Sequence, residues 1–134
     1  MTDSQQPAVL PTIAYDLFAK LDLRVATIVS AEPHPNADKL LKIRLDDGTP
    51  EGRQVCAGIK AWYEPATLIG RQVIIVANLE PRMLRGETSA GMILAASDLK
   101  EGAAPAGDGK PGADARDVLL LTVDRPVKAG SKVS

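Results

Sequence analysis

Apolar and polar positions alternate most cleanly at Leu41-Lys42-Ile43-Arg44-Leu45, where apolar 41, 43 and 45 stand against basic 42 and 44. Successive side chains of a strand point to opposite faces, so this predicts a strand with one face inward and a lysine–arginine face toward water. Leu23–Val29 alternates well enough to be an earlier strand, which Pro33 and Pro35 end. Asp46-Asp47-Gly48 is a turn signal, so the strand at 41–45 and the one around Val55 are expected to form a hairpin. Tyr15–Leu21 places apolar residues at 17, 18 and 21, enough for one or two helical turns. A second short helix is expected from about Pro65 to Ile69, closed by Gly70. Two more strands, about 72–77 and 91–96, flank a polar turn that carries Arg82 and Arg85.

Periodicity therefore supports a five-stranded β domain with one short helix between strands three and four. Residues 1–15 read as a loose tail, without period and with two prolines. Residues 16–98 hold the barrel strands, and 99–134 form a C-terminal extension. Within that extension, residues 100–117 hold four glycines and two prolines without hydrophobic pattern, the composition of a long exposed loop. Val118-Leu119-Leu120-Leu121-Thr122-Val123 then reads as a strongly apolar strand that needs a partner.

A chain of 134 residues fits one domain with a real core. Hydrophobic residues make up 45% but aromatics only 3%, so the core must be built from Val, Ile, Leu and Ala. Apolar runs such as Val73–Ala77 are far too short to span a membrane, and the N-terminus has no basic-then-apolar leader pattern. The protein is expected to be soluble and cytoplasmic. The single Cys56 can form no internal disulfide, and the single His34 lies between prolines with no sequence partner for a metal. No phosphate-binding glycine loop, acid pair or nucleophile–base arrangement is evident, so neither enzyme activity nor a cofactor is expected. Asp46-Asp47 is better explained by the turn than by catalysis.

Net charge is −1, from sixteen basic and seventeen acidic residues, which excludes an indiscriminate nucleic-acid binder. Local clusters remain: Lys39, Lys42 and Arg44, and the pair Arg82 and Arg85. Residues 78–94 read Asn-Leu-Glu-Pro-Arg-Met-Leu-Arg-Gly-Glu-Thr-Ser-Ala-Gly-Met-Ile-Leu. Together with Asp22-Leu23-Arg24-Val25 and His34-Pro35-Asn36-Ala37-Asp38-Lys39-Leu40, this resembles the tRNA-binding module fused to, or associated with, methionyl- and phenylalanyl-tRNA synthetases. The resemblance runs from about Asp16 to Ser134. It implies an all-β OB-fold, a five-stranded Greek-key barrel, and a homodimer made through the C-terminal extension. It also implies a non-catalytic protein that grips folded tRNA, acting in trans as an auxiliary or β subunit of methionyl-tRNA synthetase.

Carried over position by position, the family's tRNA-binding surface falls on Asn78, Arg82, Arg85, Ser89 and Met92, with Lys39 and Lys42 on the adjoining strand. Arginines can fork onto phosphate oxygens, and Asn78 and Ser89 can serve a base edge or a 2′-hydroxyl. Each also has a plainer role open to it: Asn78 capping the turn, Ser89 satisfying strand-end backbone groups, Met92 in the core. Trp62 and Tyr63 are expected to pack rather than to stack on bases. Two further readings stay open. The secretion-associated chaperones share the first strand and the helix, but they place an aromatic residue after the asparagine and lack the second arginine and the Gly-Met pair; Leu79, Arg85, Gly91 and Met92 favour the tRNA side. A purely structural dimerisation module would need only the C-terminal segment.

Overall fold

A computed structural model describes residues 9–99 and 116–134. Among the described residues, ten strands and two one-turn helices follow in order: α1 Tyr15–Phe18, β1 Leu23–Pro33, β2 Leu41–Asp46, β3 Arg53–Ala57, α2 Pro65–Leu68, β4 Gln72–Val76, β5 Arg82–Leu84, β6 Glu87–Ser89, β7 Met92–Ile93, β8 Ala95–Leu99, β9 Arg116–Leu120 and β10 Lys132–Val133. The main sheet runs β3-β2-β1-β4-β7, with β10 added on β1. The five expected barrel strands are thus present and form a nearly closed, OB-like barrel, with β10 as a sixth member of the sheet.

The eleven-residue β1 organises the rest. Its first half pairs with β4, Leu23 opposite Val76 through Thr27 opposite Gln72, and its second half pairs with β2. The register slips between Ile28 and Ser30. Such a bulge bends a strand and sharpens its twist, which lets one strand serve both walls of a small barrel. Inward positions of β2 behave as the alternation predicts: Leu41, Ile43 and Leu45 are buried. They meet Ile28, Val55, Val73 and Ile75, and Leu68 of α2 plugs the barrel end. Each such side chain contributes on the order of 1.5–3 kcal/mol by leaving water. Gly70, just past α2, has φ of +90° and donates its N–H to the Ile28 carbonyl at 2.8 Å, so the helix stop expected there also anchors the bulged strand.

Four features depart from the sequence reading. The polar turn after β4 is itself a hairpin, β5–β6, too short and too charged to show a period. The strand expected over 91–96 is broken at Leu94 into β7, which pairs with β4, and β8, which pairs with β9. The outward face of β2 is not uniformly wet: Arg44 is exposed, but Lys42 is half-buried between Glu32 at 3.4 Å and Glu87 at 3.7 Å. Finally, the apolar segment at 118–123 is strand only to Leu120. Val118 joins the core and Leu120 packs against it, while Leu119 and Leu121 face outward. Of the expected loop at 100–117, positions 100–115 lie outside the described residues, as do residues 1–8 of the tail, and 116–117 belong to β9.

The segment after β9 returns to the barrel. Val25 holds it through two bonds, its N–H donating to Ser131 O (2.9 Å) and its carbonyl accepting from Gly130 N–H (2.7 Å). Gly130 also packs directly on Gly48 of the β2–β3 turn; a Cβ on Gly48 would lie 3.0 Å from the Gly130 Cα. Both glycines have positive φ, so this close approach and the turn geometry exclude larger residues together.

Candidate nucleic-acid interface

The chain leaves the barrel at Ala77 and returns at Ala90, and the β5–β6 hairpin is the excursion between them. Arg53 of β3 closes its base: Nη1 donates to the carbonyl oxygens of both Ala77 and Ala90 at 2.9 Å, while Nε donates to Asp47 Oδ2 at 2.8 Å. Asp47 is buried and also accepts from the Thr49 hydroxyl (2.6 Å) and backbone N–H (3.1 Å). Burial pushes the Asp47 carboxyl up, but the bonds from Thr49 and Arg53 outweigh it and hold the group below the usual aspartate value.

Two left-handed residues, Arg85 (φ +51°) and Gly86 (φ +91°), make the tip of the hairpin. A two-residue connection with positive φ at both positions matches strand twist, and glycine at the second makes it cheap. Along the flank, the hairpin is fastened to the barrel. Ser89 Oγ accepts from Cys56 N–H at 2.9 Å, Gln54 Nε2 donates to Thr88 O at 3.0 Å, and Ala90 N–H donates to Gln54 O at 2.9 Å. On the other side buried His34 reaches Leu84 O from Nε2 at 2.8 Å, while its Nδ1 accepts from Asn36 N–H at 2.9 Å. A backbone N–H can only donate, so the proton of the ring sits on Nε2 and is given to Leu84.

The family-derived residues divide into two groups. Arg82, Arg85 and Lys39 are exposed, and none forms a salt bridge among the described residues. Met92 is 47% exposed, which puts its side chain on the surface and not in the core. The other three are already engaged. Asn78 accepts from Asp22 N–H at 2.8 Å and donates to Lys20 O at 2.7 Å, clipping the α1–β1 connection to the end of β4. Ser89 is buried on Cys56, and Lys42 is neutralised by two glutamates. Trp62 and Tyr63 pack against the core, with the Tyr63 hydroxyl accepting from Leu120 N–H at 3.1 Å. The half-buried Cys56 thiol is pushed up by burial and by Glu87, against an opposing effect of Lys42.

Sequence reasoning gave Arg53, Gln54 and His34 no part in holding the hairpin. Arg53 could have been found: it follows the Asp46-Asp47-Gly48 turn at hairpin distance, where an arginine opening the second strand can reach back to an acid of the turn. No local signal connects it to Ala77 or Ala90.

Two depressions flank the hairpin. One, of about 560 Å³, lies between the hairpin tip and the 36–40 loop, with Lys39, Arg85, Asn36, Asp38 and Met83 on its walls. The other, of about 510 Å³, lies between β3 and β7 under the hairpin, lined by Ile59, Leu79, Arg82, Leu84, Met92 and Glu80 among others.

A nearly closed OB-like barrel, with cations on a rigid hairpin that crosses the gap between its edge strands, defines a small binding module of the kind that holds nucleic acid on strand faces and loops. The chain belongs to the tRNA-binding domain family, whose model matches residues 23–132. The methionine–tRNA ligase of Thermococcus kodakarensis is 43% identical over 121 residues, covering 90% of this chain and 14% of that protein. That of Chlorobium chlorochromatii is 56% identical over 85 residues, 63% of this chain and 12% of that protein. The chain thus spans about a seventh of the curated relatives it matches. Among solved structures, a MetRS-related protein from Pyrococcus horikoshii superposes with a TM-score of 0.72 at 30% identity, covering 93% of this chain and all of that one. The chaperone CsaA of Bacillus anthracis superposes at 0.69 with 29% identity, covering 92% of this chain and all of that one.

Proposed function

We propose that this domain binds folded tRNA through the β5–β6 hairpin, without catalysis of its own, and serves in trans as an auxiliary or β subunit of methionyl-tRNA synthetase. The observation that carries the reading is the hairpin: Arg82 and Arg85 are exposed without acid partners among the described residues, on a loop whose base is locked by Arg53. Rigid cations suit phosphate oxygens whose spacing is fixed by a folded RNA. With no aromatic side chain lining either depression beside the hairpin, unfolded RNA gains little there from its bare bases. Held near a catalytic partner, such a module raises the local concentration of tRNA there. Arg82, Arg85 and Lys39 take the backbone, and Met92 an apolar base or ribose face; Asn78, Ser89 and Lys42 support the surface. Two copies joined through the C-terminal extension would present two such surfaces.

The test is affinity for folded tRNA against an unfolded RNA of equal length, together with capture from native cytosol scored for tRNA and for synthetase. Equal affinity for both RNAs removes the shape-recognition reading. The likeness to a CsaA chaperone favours a second reading, in which the surface takes unfolded polypeptide. Suppression of client aggregation with no tRNA binding would establish it instead.

A further inference from the structure

We propose that the depression between β3 and β7 receives one unstacked nucleoside of the bound RNA, with Leu79 and Met92 as the residues that contact its base. The proposal rests on the RNA-binding reading and adds the kind of RNA feature that the site selects.

Strands β3 and β7 are the two edges of the main sheet. Near Gln54 and Cys56 the seam between them is closed by bonds from Ala90 N–H and to Ser89 Oγ. Beyond those bonds it opens into a groove of about 510 Å³, walled by Ala57, Gly58 and Ile59 on one side and Gly91, Met92 and Ile93 on the other. That volume is in the range of small-molecule sites. Leu79 and Met92 are large apolar side chains held out at 41% and 47% exposure. Gly91 keeps the groove this shape: its φ is +108°, and a Cβ there would sit 2.8 Å from the Val76 carbonyl. No other residue lets β7 lie so close to β4.

The occupant follows from the charge around this apolar floor. Arg82, exposed and without an ion pair among the described residues, lies on the groove wall, and Arg85 and Lys39 lie on the far side of the same hairpin. Glu80 and Asp38 are the acids in the two depressions. An apolar cleft with Arg82 and Glu80 on its own wall, and with Arg85, Lys39 and Asp38 across the hairpin, suits a flat, apolar-faced ring joined to phosphates that run along the hairpin. An apolar peptide segment would fill the floor and leave the arginines unused. Thioether and branched aliphatic groups also fit a ring face without requiring a particular base edge. In folded RNA the nucleosides free to enter are those splayed out of loops and bulges.

The experiment uses the full chain and two hairpin RNAs of equal length, one fully paired and one with a single bulged nucleotide, tested beside folded tRNA. The bulged RNA is expected to bind about tenfold better, and 2-aminopurine at the bulge is expected to change its fluorescence on binding. Leu79→Ser, at an exposed position, should remove that preference and leave the paired hairpin's affinity alone, Met92→Ser should remove the preference as well, and Arg85→Ala should weaken both RNAs alike. Equal affinity for the two hairpins, or an unchanged 2-aminopurine signal, alongside normal tRNA binding overturns the nucleoside site and leaves the tRNA reading standing. Failure to bind tRNA as well removes both. Loss of unfolded-polypeptide binding in Met92→Ser with RNA binding intact would assign the groove to peptide and overturn the proposal.

Discussion

Arg53 and Asp47 form an ion pair whose function lies at a distance from both residues. Asp47 sits in the β2–β3 turn and Arg53 opens β3, yet the pair fixes the two ends of an excursion that begins at Ala77 and closes at Ala90. Removing either partner strands a buried charge and releases the hairpin base.

Asp47→Ala and Arg53→Ala should therefore each cost about 3–5 kcal/mol in urea unfolding, the usual penalty for breaking a buried pair. The double variant should cost clearly less than the two together, since both lose the same interaction. A simple sum would show that the two residues act independently.

The same carboxylate sets a pH dependence. Its value is lowered in the folded state, so its contribution to stability is fully present above the unfolded aspartate value of about 3.9 and is lost as pH falls from there through the folded value. Asp47→Asn should be less stable at neutral pH and should flatten the acid limb of the melting temperature. An acid limb as steep as in the unsubstituted protein would assign that loss to other carboxylates.

Arg82→Ala and Arg85→Ala should each weaken tRNA binding and reduce the log–log salt slope by roughly 0.7–0.9 per lost phosphate contact. Lys42→Ala should change the slope less than either, because Glu32 and Glu87 already neutralise that lysine. Salt titrations of the three variants side by side would reveal a lysine that reaches RNA directly.

Asn78→Ala removes two hydrogen bonds that hold the α1–β1 connection to the end of β4. At about 0.5–1.5 kcal/mol for each bond, the expected result is a loss of about 1–3 kcal/mol in stability, with the salt slope of RNA binding unchanged. Full stability with weakened binding would return Asn78 to direct contact.

For the proposed dimer, the positions to test are Leu119 and Leu121, which face outward from a segment whose other face is covered by its own barrel. Leu119→Glu with Leu121→Glu should give a folded monomer by light scattering, with weaker tRNA binding. Deleting everything after Asp98 is a blunter test, since it also removes Val118 from the core and β10 from β1. A dimer that survives the double substitution would place the interface elsewhere.

How much of this was legible beforehand depended on range. Alternation placed β1 and β2, with the inward residues of β2, because a half-buried strand writes its period into consecutive positions, and a continuous apolar run placed β4, which is buried on both faces. The Gly70 stop and the Asp46–Gly48 turn were legible for the same local reason. The hairpin at 82–89 was not, since its strands are three residues each, too short for a period to show. The candidate site was half legible. Arg82 and Arg85 stood out as cations in a turn, but the engagement of Asn78 with Asp22, of Ser89 with Cys56 and of Lys42 with Glu87 joins residues far apart in sequence. A polar residue bonded inward and one offered to a ligand look alike until the partner is placed.

The pairing of Leu23 with Val133 and Arg24 with Lys132 has a kinetic side. These partners lie roughly a hundred residues apart, and the entropy of closing so long a loop must be met before the contact gives anything back. Until that happens, one border of the strand on which the whole sheet is built carries open hydrogen-bonding groups. During folding this border is a ready template for another chain, so association of half-formed molecules should be most frequent in the interval before the last strand arrives.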